Sequence, residues 1–337
     1  MSFRLTLKYF TIKDFYKKLF FPENSGNRFA NLNYRPNLLT IMRNMPYLIF
    51  RNYMFVKSYF RDYKYARIRN EKLVDENPPN IELLICSTQK DFQLLNLVIN
   101  NALNYSNNPI IKITILVPGE QINSCINVLD DFSVKIEVVD ENKYLTISLK
   151  EMVRNFLPEK YGWVVQQLLI INFTLHSNSH GVLQIDSDTI LTSAVTWLDN
   201  HGNQIIYPTS SYYAQYSSVL NQLDRRLCNN KLAFVSHHML FQPSLLKKMF
   251  VKLNLSDTEE LFNRVVKICD LKDQSPFCLE YELYGQSLLY FFKSKVLFSN
   301  FANYSYSLNS RLNYDEIIKW LDKNGRNYKS VSFHSYS

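Results

Sequence analysis

Apolar runs and amphipathic segments alternate along the chain from residue 81 onward. Ile81-Glu-Leu-Leu-Ile-Cys-Ser-Thr88, the run 110–118 and the run 134–139 are short, rich in β-branched residues and typical of buried strands. The segments between them, 91–105 and 120–129, repeat apolar residues at helical spacing. This order of strands and helices predicts an α/β fold with a parallel sheet covered by helices on both faces.

The pattern continues to the C-terminal half with less regular spacing. We predict helices at 146–157, 163–175, 244–253, 256–270 and 280–293, and strands at 182–185, 204–207 and 232–235. The tail from Asn324 onward is polar and weakly patterned. For this tail two alternatives stay open, a mobile end or a lid.

The first quarter of the chain differs from the rest in charge. Residues 1–75 hold 15 Lys and Arg against five Asp and Glu, although the whole chain carries a net charge of only +8. Aromatic and aliphatic residues alternate with these charges, as in basic helices that lie on anionic membranes. A solvated helical layer and an RNA-binding arm are the alternatives, and the lack of a compact nucleic-acid motif disfavours RNA.

The boundary of this segment is marked by Asp75-Glu-Asn-Pro-Pro-Asn80, where two prolines end any helix. We therefore predict a basic, aromatic, mainly helical segment over residues 1–77. A main domain is predicted over 78–310, followed by a C-terminal helix and polar tail over 311–337.

Cysteine usage and the N-terminus suggest a compartment. The five cysteines are scattered and form no C-x-x-C pair, so neither a disulfide framework nor a thiolate zinc site is predicted. No secretory signal or membrane-spanning helix is predicted. We expect a cytoplasmic protein, either free or peripheral on the cytosolic face of the inner membrane.

The stretch GVLQIDSDTIL, residues 181–191, ends a buried strand on two carboxylates. Ligands of open parallel α/β sheets bind beyond the carboxyl ends of the strands, where Asp186 and Asp188 are expected. Two such carboxylates repel each other unless a cation joins them. Mg²⁺ and Mn²⁺ prefer carboxylate oxygens and leave positions open for substrate phosphates. A surface turn or a helix cap is the competing interpretation.

Four blocks of sequence, taken in order, carry a family resemblance. They are Gly162-Trp-Val-Val-Gln-Gln-Leu-Leu, Leu-Gln-Ile-Asp-Ser-Asp-Thr, Val235-Ser-His-His-Met-Leu-Phe241 and Leu279-Glu-Tyr-Glu-Leu-Tyr-Gly285. Over residues 80–300 the chain resembles nucleotide-sugar-dependent glycosyltransferases of the GT-A fold, and within them a bacterial group with a D-S-D motif. The resemblance implies a mixed, mainly parallel sheet flanked by helices.

The resemblance also implies a divalent metal, Mn²⁺ or Mg²⁺. Asp188 matches the aspartate that binds the metal directly, and Asp186 the one that contacts the ribose or the metal through water. A histidine often adds a third ligand, and His237 and His238 are both placed for this role. Because neighbouring residues on a strand point to opposite faces, only one of them is expected at the metal, and we favour His238.

Several polar residues match positions that hold the nucleotide-sugar in the family. They are Ser87, Thr88, Asp91, Asp140, Gln166, Gln167 and Ser187. Capping of the following helix is an equal alternative for Asp91. Only one of the two adjacent glutamines is expected to point inward. Ile170 stands where related chains carry a lysine, so another group would have to steady the diphosphate.

A transfer with inversion needs a general base, for which Glu280 and Glu282 are candidates. Glu280 matches the family block and is favoured, while acids complementing a helix dipole are the alternative. The implied function is transfer of a sugar to a glycan or lipid-linked acceptor in surface polysaccharide synthesis. The alternatives are a haloacid-dehalogenase-like phosphatase, whose D-x-D pattern fits less well, and a non-catalytic binding or scaffold protein.

Overall fold

A computed structural model describes residues 78–207, 214–228, 233–269, 279–299, 303–308 and 313–335. The predicted basic segment, residues 1–77, lies outside the described residues. All statements below concern the described ranges.

The secondary structure follows the predicted alternation as far as residue 185. The strands are β1 Ile81–Cys86, β2 Ile110–Val117, β3 Lys135–Asp140, β4 Val182–Ile185, β5 Thr189–Leu191, β6 Gln204–Ile206, β7 His238–Phe241, β8 Val296–Phe298, β9 Asn303–Leu308 and β10 Ser330–Ser335. The α-helices are α1 Leu95–Tyr105, α2 Ile122–Ile126, α3 Ile147–Phe156, α4 Tyr161–His176, α5 Ala214–Leu223, α6 Pro243–Lys252, α7 Thr258–Ile268, α8 Tyr284–Phe291 and α9 Tyr314–Asn324. Short 3-10 turns precede α1 and α2, and a π-helical turn, Leu279–Leu283, precedes α8.

The main sheet has five strands in the order β3-β2-β1-β4-β7. The first four are parallel, and β7 runs antiparallel to β4 with Ile185 opposite His238. Alternate strand residues face two separate apolar clusters, since Leu84 and Val182 join one cluster while Leu83 and Leu183 join the other. Helices cover both faces, which confirms the predicted fold class and is consistent with a GT-A-like fold.

The strand that directly follows the D-S-D motif, β5, belongs to a second sheet with the order β5-β10-β9. Strand β10 is its centre, antiparallel to β5 and parallel to β9, with Ser332 opposite both Thr189 and Ser305. The expectation of a mobile or lid-like tail after Asn324 is therefore wrong for residues 330–335. Val331 and Phe333 alternate with serines and are buried, which gives this polar segment enough apolar surface to pack.

The strand predicted at 232–235 is also wrong in its described part. Phe234 and Val235 are not in a strand, and the strand begins only at His238. Phe234 is instead fully buried against α8, where a Cβ on Gly285 would lie 2.3 Å from its Cγ. Glycine at that position lets α8, and the π-helical turn before it, approach the segment that leads into β7.

Within the described residues, no helix combines the length and the apolar character needed to cross a membrane.

Candidate functional site

The carboxyl ends of four parallel strands meet at one edge of the main sheet. Cys86 ends β1, Asp140 ends β3, and Asp186 directly follows β4. The antiparallel β7 begins at this edge, so His237 stands beside Asp186, and the backbone N–H of Asp186 donates to the His237 carbonyl at 2.9 Å. Topology thus brings together residues that are about 50 to 100 positions apart in sequence.

The Asp186 carboxylate contacts three polar side chains at this edge. Its Oδ1 accepts hydrogen bonds from the side-chain amides of Gln166 and Gln184, each at 2.8 Å. Its Oδ2 lies 3.2 Å from His237 Nδ1. The Asp186 side chain is 22% exposed to solvent. The protein therefore orients this carboxylate by hydrogen bonds and leaves part of it accessible to a ligand.

The D-S-D residues form a tight turn into the second sheet. The N–H of Thr189 donates to the Asp186 carbonyl at 2.9 Å, and the N–H of Phe333 donates to the Asp188 carbonyl at 2.9 Å. The Ser187 hydroxyl donates to Asp91 Oδ2 at 3.0 Å. The half-buried Asp188 is therefore held at its backbone by β10, a contact that sequence did not predict.

The two histidines lie in different environments, and His237, rather than the favoured His238, lies beside Asp186. His237 faces Asp186 through Nδ1, while its Nε2 lies 3.2 Å from the Ser305 hydroxyl. His238 is 3% exposed, packs its ring 5.5 Å from that of Trp197, and has Nε2 3.3 Å from the Ser330 hydroxyl. Burial, together with the nearby His237, lowers the pKa of His238 to about 3. His238 is a neutral core residue.

The loop after β1 brings three predicted nucleotide-site residues to the same edge. Ser87 is buried, and its N–H donates to the Leu116 carbonyl at 3.0 Å, whereas Thr88 is exposed. Asp91 lies in the first turn after Thr88, the N-cap residue, whose side chain makes no capping hydrogen bond. The Asp91 carboxylate accepts from Ser187, which ties the β1 loop to the D-S-D turn.

The end of β3 forms a separate part of the edge. Asp140 Oδ1 accepts from the Asn142 N–H at 2.8 Å, and a Cβ on Gly119 would lie 2.5 Å from Asp140 Oδ2. Asp140 is thus the cap of its own turn, close to the backbone after β2. The next residue, Glu141, forms an ion pair with Lys150.

The two glutamines of α4 differ in what the structure shows of them. Gln166 donates to Asp186 Oδ1, and Gln167 is fully buried. Ile170 is likewise fully buried, so no group at that position reaches the sheet edge to contact a phosphate.

The two glutamates of the π-helical turn differ in their surroundings. Glu282 accepts from the Phe234 N–H at 2.8 Å and from Gln286 Nε2 at 2.7 Å. Burial raises the pKa of Glu282, and these two hydrogen bonds oppose the rise. Glu282 therefore links the π-helical turn to α8 and to the Phe234 segment.

Glu280 is 3% exposed. Burial raises the pKa of the Cys86 thiol at the end of β1, and the charges of Glu141, Asp186 and Glu280 raise it further. The charge of Glu280 therefore acts on the same sheet edge as that of Asp186.

The donor set fits an open cation site rather than one built by the protein alone. No three His, Cys, Asp or Glu side chains among the described residues are grouped closely enough to hold a metal ion by themselves. Magnesium sites often use only one or two carboxylates, with substrate phosphates and water completing the shell. Carboxylate oxygens from Asp186 or Asp188 suit Mn²⁺ or Mg²⁺ in such a site, and His237 lies beside Asp186.

Three residues of the site were not identified from sequence. Gln184 occupies an apolar strand and has no motif, Tyr281 lies between the two candidate glutamates, and Ser305 lies in β9, for which no strand was predicted. Of these three residues, only Gln184 could have been recognised from the sequence, because a glutamine in a fully buried strand requires hydrogen-bond partners.

No protein-family model matches the chain, and no curated protein is significantly similar to it. Among solved structures, the chain is similar to the apo form of mouse xyloside xylosyltransferase 1. The two are 11% identical, with a TM-score of 0.39, over 76% of this chain and 98% of the mouse chain.

Proposed function

We propose that this protein is a metal-dependent glycosyltransferase that moves a sugar from a nucleotide-sugar donor to a glycan or lipid-linked acceptor. The observation that carries the proposal is the Asp186 carboxylate, held at the carboxyl edge of a mainly parallel sheet by Gln166, Gln184 and His237. That edge is where open α/β sheets bind their ligands. The sequence resemblance to GT-A enzymes supports the same assignment.

In this proposal Asp188 and His237 hold Mn²⁺ or Mg²⁺, and Asp186 contacts the ribose or a metal-bound water. The cation, when bound, stabilises negative charge that develops on the departing diphosphate. Gln166 donates a hydrogen bond to Asp186 Oδ1 and so helps to orient this carboxylate.

The nucleotide is proposed to lie along the ends of β1 and β3. Ser87, Thr88 and Asp91 follow β1, and Ser187 links Asp91 to the D-S-D turn. Asp140 lies farther along the edge and is a candidate for contacting the base. Gln167 is fully buried, so Gln166 is the glutamine of α4 that this proposal uses.

Glu280 is the proposed general base if the transfer inverts the anomeric centre. Its carboxylate would accept the proton of the acceptor hydroxyl as that oxygen attacks the sugar. The electrostatic effect of Glu280 on Cys86, which it shares with Asp186, supports this role, since the sugar would lie next to the diphosphate that the D-S-D motif would bind.

The acceptor is proposed to be a bacterial surface polysaccharide or its lipid-linked precursor. The basic segment over residues 1–75 would dock the protein on the anionic cytosolic face of the membrane where such precursors are carried. This part of the proposal rests on charge and on the sequence resemblance.

A phosphatase of the haloacid-dehalogenase type is disfavoured by the state of Asp186. That chemistry needs the first aspartate as a free nucleophile, whereas here Oδ1 accepts from two amides and Oδ2 faces His237. The motif also follows the fourth strand rather than the first.

The test is calorimetric titration of the full chain with UDP-, GDP- and CMP-sugars, in Mn²⁺ and in chelator. We expect one nucleotide class to bind only with metal, and Asp188→Ala to lose at least tenfold in affinity and nearly all transfer. The control is Asp257→Ala, which removes the N-cap hydrogen bond of α7 (Asp257 Oδ1 to the Glu260 N–H, 2.8 Å) away from the site.

Donor binding by the control variant should equal that of the wild type. If no nucleotide-sugar binds in either condition, the protein is a scaffold and the proposal is wrong. If Asp188→Ala binds and transfers as the wild type does, the metal assignment is wrong.

A further inference from the structure

Gln184 is a fully buried glutamine in the middle of the apolar strand β4. A buried amide is unfavourable unless both its carbonyl and its N–H groups are hydrogen-bonded. Here both ends have partners, because Gln184 Oε1 accepts from the Tyr281 hydroxyl and Gln184 Nε2 donates to Asp186 Oδ1 at 2.8 Å. The amide therefore connects the π-helical turn to the D-S-D motif through the core.

The Tyr281 hydroxyl determines which way this amide points. A hydroxyl that donates to the carbonyl oxygen of Gln184 leaves the amide nitrogen directed at Asp186. Tyr281 itself is 4% exposed, and its ring stacks on Phe241 of β7 at 6.2 Å with an interplanar angle of 25°. The donor is thus held by packing as well as by its hydrogen bond.

This arrangement separates the two oxygens of Asp186. Oδ1 accepts from Gln184 and Gln166, whereas Oδ2 faces His237 at the sheet edge. Because both donors approach the same oxygen, the lone pairs directed at a ligand belong mainly to Oδ2.

Tyr281 also lies between Glu280 and Glu282 in the π-helical turn. Glu282 attaches that turn to the Phe234 segment, and Tyr281 attaches it to β4. The position of Glu280 is consequently linked to that of Asp186 through two side chains, Tyr281 and Gln184.

We infer that Gln184 and Tyr281 are positioning residues, which present Oδ2 of Asp186 to the bound cation and nucleotide and keep Glu280 in register with it. This inference rests on the proposed function.

The chain supplies a matched pair of variants for the test. Tyr281→Phe and Tyr284→Phe each remove one buried hydroxyl from the same helical segment. Tyr284 is 1% exposed, accepts from the Gln242 N–H at 2.8 Å and donates to Gln204 Oε1 at 2.8 Å, with no link to Asp186. Loss of stability should therefore be similar in the two variants, while only Tyr281→Phe alters Asp186.

The readout is transfer activity as a function of Mn²⁺ concentration, together with thermal unfolding. In Tyr281→Phe we expect kcat to fall at least tenfold and the Mn²⁺ concentration for half-maximal activity to rise at least threefold. Tyr284→Phe should stay within twofold of the wild type in both quantities. A residue that only stabilises the fold would not move the Mn²⁺ dependence.

Gln184→Met keeps the length of the side chain and the Tyr281 ring but removes the donor to Asp186, and it should reproduce the effect. If Tyr281→Phe folds poorly, the Gln184→Met variant is sufficient for the test. The double variant should be no worse than either single one, since both break the same connection. Additive losses, or a Tyr281→Phe variant indistinguishable from Tyr284→Phe, would overturn the inference. A wild-type protein without nucleotide-sugar binding would instead refute the proposed function, and with it this inference.

Discussion

Glu280 and Glu282 lie two residues apart in one π-helical turn. Replacing each of them by glutamine should distinguish a loss of catalytic rate from a loss of folding stability. Both substitutions conserve shape and remove one carboxylate. Glu280 has been assigned the general base, whereas Glu282 accepts hydrogen bonds from Phe234 and Gln286. Glu280→Gln should therefore reduce turnover, and Glu282→Gln should reduce stability.

The expected loss for Glu280→Gln follows from the contribution of general bases, which is about 10² to 10⁴ in rate. This corresponds to roughly 3 to 5 kcal/mol in activation free energy. Donor affinity should change little, because the base acts on the acceptor. The effect should therefore appear in kcat and not in the donor Kd.

The expected loss for Glu282→Gln follows from its two hydrogen bonds. The new amide oxygen can keep the Phe234 N–H, but its NH₂ group faces the Gln286 amide, which must turn over to accept. Rearranging two buried hydrogen bonds inside the protein costs about 1 to 2 kcal/mol. For a domain of this size each kcal/mol lowers Tm by roughly 2 to 4 °C.

The pH dependence of stability gives a further check on Glu282. Burial raises its pKa in the folded protein, with the hydrogen bonds from Gln286 and Phe234 opposing the rise. A carboxyl group whose pKa is raised on folding binds its proton more tightly in the native state. Its stabilising contribution is complete below the unfolded pKa and is lost as the pH rises through the folded pKa. The stability difference between the wild type and Glu282→Gln should thus be largest in acid and shrink toward neutral pH.

The measurements are steady-state transfer with the nucleotide-sugar identified by calorimetry, and thermal unfolding from about pH 4 to 8. Full activity in Glu280→Gln, with intact folding, would refute the base assignment. A Glu282→Gln variant that is fully stable but inactive would show that the roles of the two glutamates had been exchanged.

Two further predictions concern the histidines and the basic segment. His237→Ala should weaken Mn²⁺-dependent donor binding by about 10- to 100-fold, measured by calorimetry, at nearly unchanged Tm. His238→Ala should lower Tm and leave donor binding intact. The reverse result would favour His238 as the metal ligand. The full chain should sediment with anionic vesicles at low salt and be released from them as the salt concentration rises. A chain that lacks residues 1–75 should stay in solution. Equal sedimentation of both chains would exclude this segment as the membrane anchor.

The parallel part of the main sheet could be predicted because its signals are local. Strands β1 to β4 are short apolar runs separated by amphipathic segments, and a strand buried on both faces must be apolar nearly throughout. The position of Asp186 at the carboxyl edge followed from the same reasoning, since the residue after a buried parallel strand lies where ligands bind.

The assignment of the histidines could not be made from local sequence. Alternation along a strand shows that His237 and His238 face different directions, but not which direction leads to Asp186. The register of β7 against β4, with His238 opposite Ile185, decides it. The same register buries His238 beside Trp197 and Ser330, residues that are distant in sequence.

Strand β10 shows a similar limit. Its sequence, Ser330-Val-Ser-Phe-His-Ser335, has only weak apolar character, and its backbone hydrogen bonds become favourable when β5 and β9 lie on either side. Those neighbours are about 140 and 27 residues away in sequence, so no window around the strand contains them.

The sequence by itself therefore determined the α/β class, the strand that ends on Asp186 and Asp188, and the acidic and polar residues available for chemistry. Tertiary structure decided which of these residues meet: Gln166, Gln184 and His237 on one carboxylate, and Glu282 in the core. The physical reason is that apolar periodicity is a property of neighbouring residues, whereas a hydrogen-bonded site depends on the register and crossing of elements far apart in the chain.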